Sequence, residues 1–244
     1  EDWWAQGYSE PGSGSDLASL KTIATDKGDY FLVNGQKTWT TLGQHANKIF
    51  CLVKTDTKCK PQEGISFLLI DINSSGVEVK PIITLDGEHE VNEVWLTDVK
   101  VPKENLLGEL NKGWTYAKYL LTHERTGIAG VPYSKSAIDH LKKIASNINK
   151  NGLPLIKDPI FSSQIAELEI DINAMEIFNL RTVSAASEGK APVMESSLLK
   201  IKGSIIRQKT SDLLRKAIGP MALPYISEQF DEGWNEEPIG PEYA

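Results

Sequence analysis

The sequence predicts an α+β protein, with a small antiparallel β-barrel or sandwich domain followed by an antiparallel helical bundle. Two observations carry that prediction. Up to about residue 108 the chain runs in short segments rich in β-branched and aromatic residues, each bounded by Gly, Pro, Asn or Asp. Past Pro102 the apolar spacing changes from two residues to about 3.6, which marks a boundary near residues 102–112. The expected divisions are a β domain over 1–108, a bundle over 109–224, and a loop or tail over 225–244.

In order along the chain, Tyr30–Val33, the pair Asn34-Gly35 and Gln36–Thr41 predict a strand, a two-residue hairpin turn and a second strand. Further strands are expected at Lys48–Thr55, Gly64–Ile72, Gly76–Leu85 and Asn92–Val101, about six in all. A first long helix is expected from about Gly113 to Asn149. A second follows Pro159 to about Ser187, striped by Phe161, Ile165, Leu168, Ile172 and Met175. The third runs from near Met194 to Ile218, striped by Leu198, Ile201, Ile205 and Leu213, with Gly219-Pro220 as its stop. Long helices joined by short connections form an antiparallel bundle.

Composition narrows the function. Over 244 residues, 40% hydrophobic and 24% charged content describe a globular chain. A formal charge of −7 argues against a nucleic-acid partner. No apolar run approaches the roughly 20 residues that span a bilayer, and no signal-peptide pattern is visible. Cys51 and Cys59 fit a reducing cytoplasm. Cys51 lies in the apolar run Ile49–Val53 and Cys59 in a polar loop, so neither a disulfide nor a metal site is expected.

Chemistry concentrates near the start, in Gln6–Ser19. Three glycines there (Gly7, Gly12, Gly14) are expected to take positive φ and approach a ligand, with Ser9, Ser13 and Ser15 as short donors. On the first long helix, Leu110, Trp114, Ala117, Leu121, Glu124, Ile128 and Val131 recur at steps of four and three. Every member but Glu124 is apolar. A carboxylate on such a stripe has its pKa raised and is poised as a base, unless Arg125 or another basic residue pairs with it.

Two blocks, Tyr8–Asp16 (YSEPGSGSD) and Asn34–Thr41 (NGQKTWTT), resemble the paired signature of the acyl-CoA dehydrogenase family. The later segments Gly87–Glu93, Val101-Pro102, Asn105–Gly108 and Asn111–Trp114 follow in register, so the similarity covers residues 1 to about 225. The resemblance implies a β domain and helical bundle of that fold, FAD as cofactor, and α,β-dehydrogenation of an acyl-CoA thioester with electrons passed to electron-transfer flavoprotein. It implies that Gln6, Tyr8, Ser9 and Ser15 contact flavin or thioester, that Trp39 stacks near the dimethylbenzene end, and that Thr41 bonds near N5. Trp39 also reads as an ordinary cross-strand aromatic. His123–Thr126 (HERT) matches the minority of the family that carries its catalytic glutamate on this helix, at Glu124. Arg125 then fixes nearby geometry, while Thr122 and His123 border the CoA nucleotide. In the family, hydrogen bonds to the thioester carbonyl stabilise the developing enolate.

Two departures stand out. The family's Arg-x-x-Phe-Gly motif, which holds the flavin pyrophosphate of a neighbouring subunit, is replaced by Asn151–Asp158 (NGLPLIKD). Its Gln-x-x-Gly-Gly-x-Gly segment is replaced around Ala217–Pro224 (AIGPMALP). Both resemble the pimeloyl-CoA dehydrogenase large-subunit branch, which implies a homo- or hetero-oligomer with a related subunit. Beside the dehydrogenase stand an acyl-CoA oxidase and a non-catalytic subunit of a heteromeric enzyme. Family members carry further helices on both sides of this segment, so the chain is expected to be part of a longer protein.

Overall fold

The computed structural model describes residues 1–124, 127, 129–189 and 193–225, with the side chains of Thr122, His123, Glu124, Val193 and Met221 outside that description. The expected tail beyond residue 225 therefore lies outside the described residues. The chain forms two compact units, Glu1–Leu120 and Leu121–Ala244.

The first unit is a curled sheet of seven strands: β1 (Trp4–Gly7), β2 (Ile23–Asp26), β3 (Tyr30–Thr41), β4 (Lys48–Lys54), β5 (Ile65–Asp71), β6 (Val77–Ile82) and β7 (Val91–Pro102). Pairing is antiparallel for β2–β3, β3–β7, β4–β5 and β6–β7, whereas β1 and the start of β2 lie parallel to β4. Its core is aliphatic: Val33, Ile49, Cys51, Val53, Leu68, Val94 and Val99 are fully excluded from solvent.

Asn34-Gly35 does not turn the chain. β3 runs straight through it, paired with β7 from Tyr30 to Thr41. Gly35 is needed because Thr22 presses on it; a Cβ there would stand 2.6 Å from the Thr22 Cα. Asn34 instead staples an irregularity in β7: its amide donates to Asp98 Oδ1 (3.0 Å) and its carbonyl accepts from the Asp98 N–H (2.9 Å). Asp98 is held there at φ 50°. The chain turns between β2 and β3 at Lys27–Asp29, with Gly28 at φ 90°. A true Asn-Gly hairpin occurs later: Asn151 and Gly152 have φ of 54° and 83° and join the short strands β8 (Asn149–Lys150) and β9 (Leu153–Pro154).

The expected first long helix is two helices, α1 (Gly113–Glu124) and α2 (Val131–Asn147). Gly130 at φ 61° cannot continue a right-handed helix, and Pro132 begins the next one at a position where its missing N–H costs nothing. Helical phase therefore does not carry from Glu124 to Val131. Leu110 precedes the helix and is exposed, so the single apolar stripe around Glu124 is also overturned.

In the second unit α2 packs with α3 (Pro159–Ser187) and α4 (Val193–Ile218). Asp158 caps α3 by accepting from Ile160 N (2.9 Å) and Phe161 N (3.1 Å). The expected α3 stripe is buried in full. That of α4 is not: Leu198, Ile201 and Ile205 are exposed, and only Leu213 is buried. The buried face runs Ser196, Leu199, Gly203, Ile206, Thr210, Leu213, Ala217. Its small and polar members hid it from a search for apolar repeats. Gly203 is required there, since a Cβ would fall 2.5 Å from the Ala129 carbonyl oxygen. Among the described residues no helix is long and apolar enough to cross a membrane.

Candidate functional site

An open concavity of about 370 Å³ in the first unit is lined by Trp4, Ala5, Gln6, Tyr8, Ser9, Thr38, Trp39, Thr41 and Phe50. Five of the six residues expected at the flavin meet there: Gln6, Tyr8, Ser9, Trp39 and Thr41. Ser15 does not line it and is exposed on the loop. Thr122, His123 and Glu124 end α1, but their side chains lie outside the described residues, as does the whole of Arg125.

The concavity follows from a break in strand parity. Phe31 and Val33 point inward, and period two carries Lys37 inward as well. Between the pairs Lys37↔Val94 and Thr40↔Asn92, two residues of β3 oppose one of β7, a β-bulge. The bulge turns Thr38 inward and puts Trp39 at φ 59° with 60% of its surface exposed. A tryptophan in the left-handed region costs of order 1–3 kcal/mol. Trp39 is therefore not an ordinary cross-strand aromatic; the backbone is bent to present its ring. Behind it, Asn92 donates to the Thr40 carbonyl (3.0 Å) and to Gln44 Oε1 (2.6 Å), and meets His89 Nε2 at 2.8 Å.

The facing wall comes from β1, β4 and the loop after β1. Gly7 keeps an ordinary φ, as do Gly12 and Gly14, so the expected positive-φ glycines are corrected. Gly7 is small for another reason: a Cβ would meet Cys51 Sγ at 2.5 Å and Ile49 Cδ1 at 2.9 Å. Tyr8 packs edge-on against Phe50 at 5.8 Å, and Phe50 stacks on Phe67 at 5.7 Å. Burial pushes the Cys51 thiol up to about 12, which leaves it an inert core residue.

Sequence reasoning missed Glu10 and Lys37. Lys37 is wholly buried, its Nζ donating to Glu10 Oε1 (2.8 Å), Leu52 O (2.7 Å) and Tyr8 O (3.3 Å). Glu10 also accepts from the Lys21 N–H (2.5 Å) and the Thr22 N–H (2.9 Å). Burial opposes ionisation of Glu10; the Lys37 charge and these hydrogen bonds outweigh it and hold the carboxyl below its ordinary value. The signal was available: a lysine at an inward position of an alternating strand requires a buried acid somewhere.

The lining suits a flat heteroaromatic ring, offering aromatic faces from Trp4, Trp39 and Phe50 and a polar edge from Gln6, Ser9, Thr38 and Thr41. Among the described residues no group of His, Cys, Asp and Glu could hold a metal ion.

Residues 5–99 match the acyl-CoA dehydrogenase middle domain and residues 111–237 the acyl-CoA dehydrogenase C-terminal domain. Acyl-CoA dehydrogenase FadE34 of Mycobacterium tuberculosis is 32% identical over 86% of the chain, which spans 29% of that protein. Caffeyl-CoA reductase-Etf complex subunit CarC of Acetobacterium woodii is 32% identical over 81% of the chain, which spans 53% of that protein. Among solved structures, the ChsE4-ChsE5 complex from Mycobacterium tuberculosis superposes with a TM-score of 0.81 at 31% identity, covering 91% of this chain and 57% of that one.

Proposed function

Since the chain belongs to the acyl-CoA dehydrogenase family, we propose that the protein it forms part of is an FAD-dependent enzyme that dehydrogenates an acyl-CoA thioester between the α and β carbons. The carrying observation is the concavity: Gln6, Tyr8, Ser9, Trp39 and Thr41 converge on it, and the β3 backbone is bent to expose Trp39.

Bound there, FAD would accept the hydride from the β-carbon of the substrate. The chain's residues do the rest. Trp39 covers one face of the ring and keeps water from it. Ser9, Thr38, Thr41 and Gln6 line the same concavity, and their hydroxyls and amide would meet the polar edge of the ring. Glu124, at the end of α1, takes the α-proton, with Arg125 fixing the geometry beside it and Thr122 and His123 bordering the CoA nucleotide. Ser15 reaches the substrate or flavin from the exposed loop. The protein works in the cytoplasm and passes its electrons to electron-transfer flavoprotein; the Etf complex named for the Acetobacterium relative supports the association, not its direction.

The pyrophosphate half of FAD needs another supplier. Where the family places an Arg-x-x-Phe-Gly motif, this chain folds the β8–β9 hairpin, and Asn151–Asp158 contains no arginine. A partner of related fold or a second copy supplies that grip. Supporting this, α3 exposes Ile170, Ile177 and Leu180, and α4 exposes Met194, Leu198, Ile201 and Ile205, apolar faces suited to association.

The test is anaerobic bleaching of the full-length flavoprotein by acyl-CoAs, comparing wild type with Glu124→Gln. The variant should bind FAD normally and fail to bleach. Unchanged bleaching would place the base elsewhere. Slow reoxidation of the bleached protein in air is expected; rapid peroxide release would identify an oxidase instead.

A further inference from the structure

A lysine–glutamate pair nearly sealed from water ties β3 to β4, to the loop that follows β1 and to the entry of β2. Lys37 Nζ spends its three donors on the Tyr8 carbonyl at the mouth of the β1 loop, the Leu52 carbonyl of β4, and Glu10. Glu10 spends its other oxygen and part of the first on the backbone N–H groups of Lys21 and Thr22, at the entry to β2. One lining residue of the loop is directly anchored, since Ser9 accepts a backbone bond from Thr38 at 2.9 Å. Lys37 immediately precedes the bulge that exposes Trp39. Neither Lys37 nor Glu10 lines the concavity.

We propose that Lys37 and Glu10 are positioning residues of the cofactor pocket: their buried pair sets the distance between the wall carrying Gln6, Tyr8 and Ser9 and the wall carrying Thr38, Trp39 and Thr41. This rests on the concavity being the flavin-ring site. A hydrophobic pair of similar volume would serve stability equally well. An ion pair with this many directed hydrogen bonds holds one geometry where an apolar contact permits several. A ring-shaped slot tolerates little variation in its width, so a positional constraint belongs here.

The experiment uses the full-length holoprotein with any partner subunit, and compares wild type, Glu10→Gln, Lys37→Met, and Trp39→Gly as a control within the pocket. FAD affinity and the fine structure of the bound flavin's visible band are read at a temperature well below each variant's Tm. Glu10→Gln and Lys37→Met should each weaken FAD binding by about tenfold or more and blur or shift the band while the protein stays folded. Should the single variants fail to fold, the charge-free pair Glu10→Gln/Lys37→Met is measured in the same way. Wild-type affinity and spectrum in any folded member of this set, alongside weakened binding in Trp39→Gly, would reduce the pair to a stability element and overturn the proposal. Unchanged binding in Trp39→Gly as well would instead show that the concavity is not the ring site, and the proposal would fall with that assignment.

Discussion

At Trp39 the chain accepts a local cost. The residue sits at φ 59° with 60% of its surface exposed, gaining neither good backbone geometry nor burial. Replacement by glycine relieves the backbone and removes the ring. Trp39→Gly should therefore leave Tm unchanged or raised, while FAD affinity falls; thermal unfolding and flavin titration of the same preparation read both. Glu10 gives a pH signature. Its folded-state carboxyl titrates below its ordinary value of 4.5. The ionised form thus adds stability above that pH, and the contribution is lost as pH falls through the lower folded value. Wild type should lose stability steeply below about pH 4.5. Glu10→Gln should be less stable at neutral pH by about 3 kcal/mol, because Lys37 is left buried without its counterion, and should show a flatter acid limb. Denaturant midpoints across pH 3–7 decide it.

Among the elements, α4 is a helix with two apolar faces that do different things. Leu199, Ile206 and Leu213 are buried in the bundle, whereas Leu198, Ile201 and Ile205 are exposed. Ile206→Ala should destabilise the bundle by about 3 kcal/mol through a lost core contact and the cavity left behind. Leu198→Glu with Ile201→Glu should leave that stability within about 0.5 kcal/mol yet shift the assembly of the full protein to smaller species in light scattering. An unchanged size distribution in light scattering would mean the exposed face is not used for association. β3 shows how an element's role is set from outside. Its Asn-Gly pair has the chemistry of a tight turn, but pairing with β7 along its whole length outweighs any local turn preference. The same dipeptide at Asn151-Gly152, with only two residues to pair on each side, does turn.

On the scale of the whole molecule, the described residues form a concavity with aromatic and polar lining, Asn151–Asp158 contains no arginine, and the chain spans about half the length of relatives such as CarC. FAD is expected to bind substoichiometrically to the isolated polypeptide and to reach one per site only when the complementary subunit is present. Copurification of a single polypeptide with one FAD per chain would eliminate the unlike-partner arrangement. Absorbance at the flavin band against protein concentration is the measurement.

The order of β unit and helical bundle, the span and stripe of α3, the stop of α4 at Gly219-Pro220, and five of the residues lining the concavity (Gln6, Tyr8, Ser9, Trp39 and Thr41) were readable from the chain. Each depends on neighbours a few residues away or on a signature whose spacing is local. Tertiary structure decided the rest. It split the first helix at Gly130, made β3 one strand, chose the Ser196–Ala217 face of α4 over the more apolar one, and joined Glu10 to Lys37 across 27 residues. Those outcomes turn on close approaches, such as Thr22 against Gly35 and the Ala129 carbonyl against Gly203. Which backbone comes within van der Waals reach of which other is a property of the packed chain, and no local pattern encodes it.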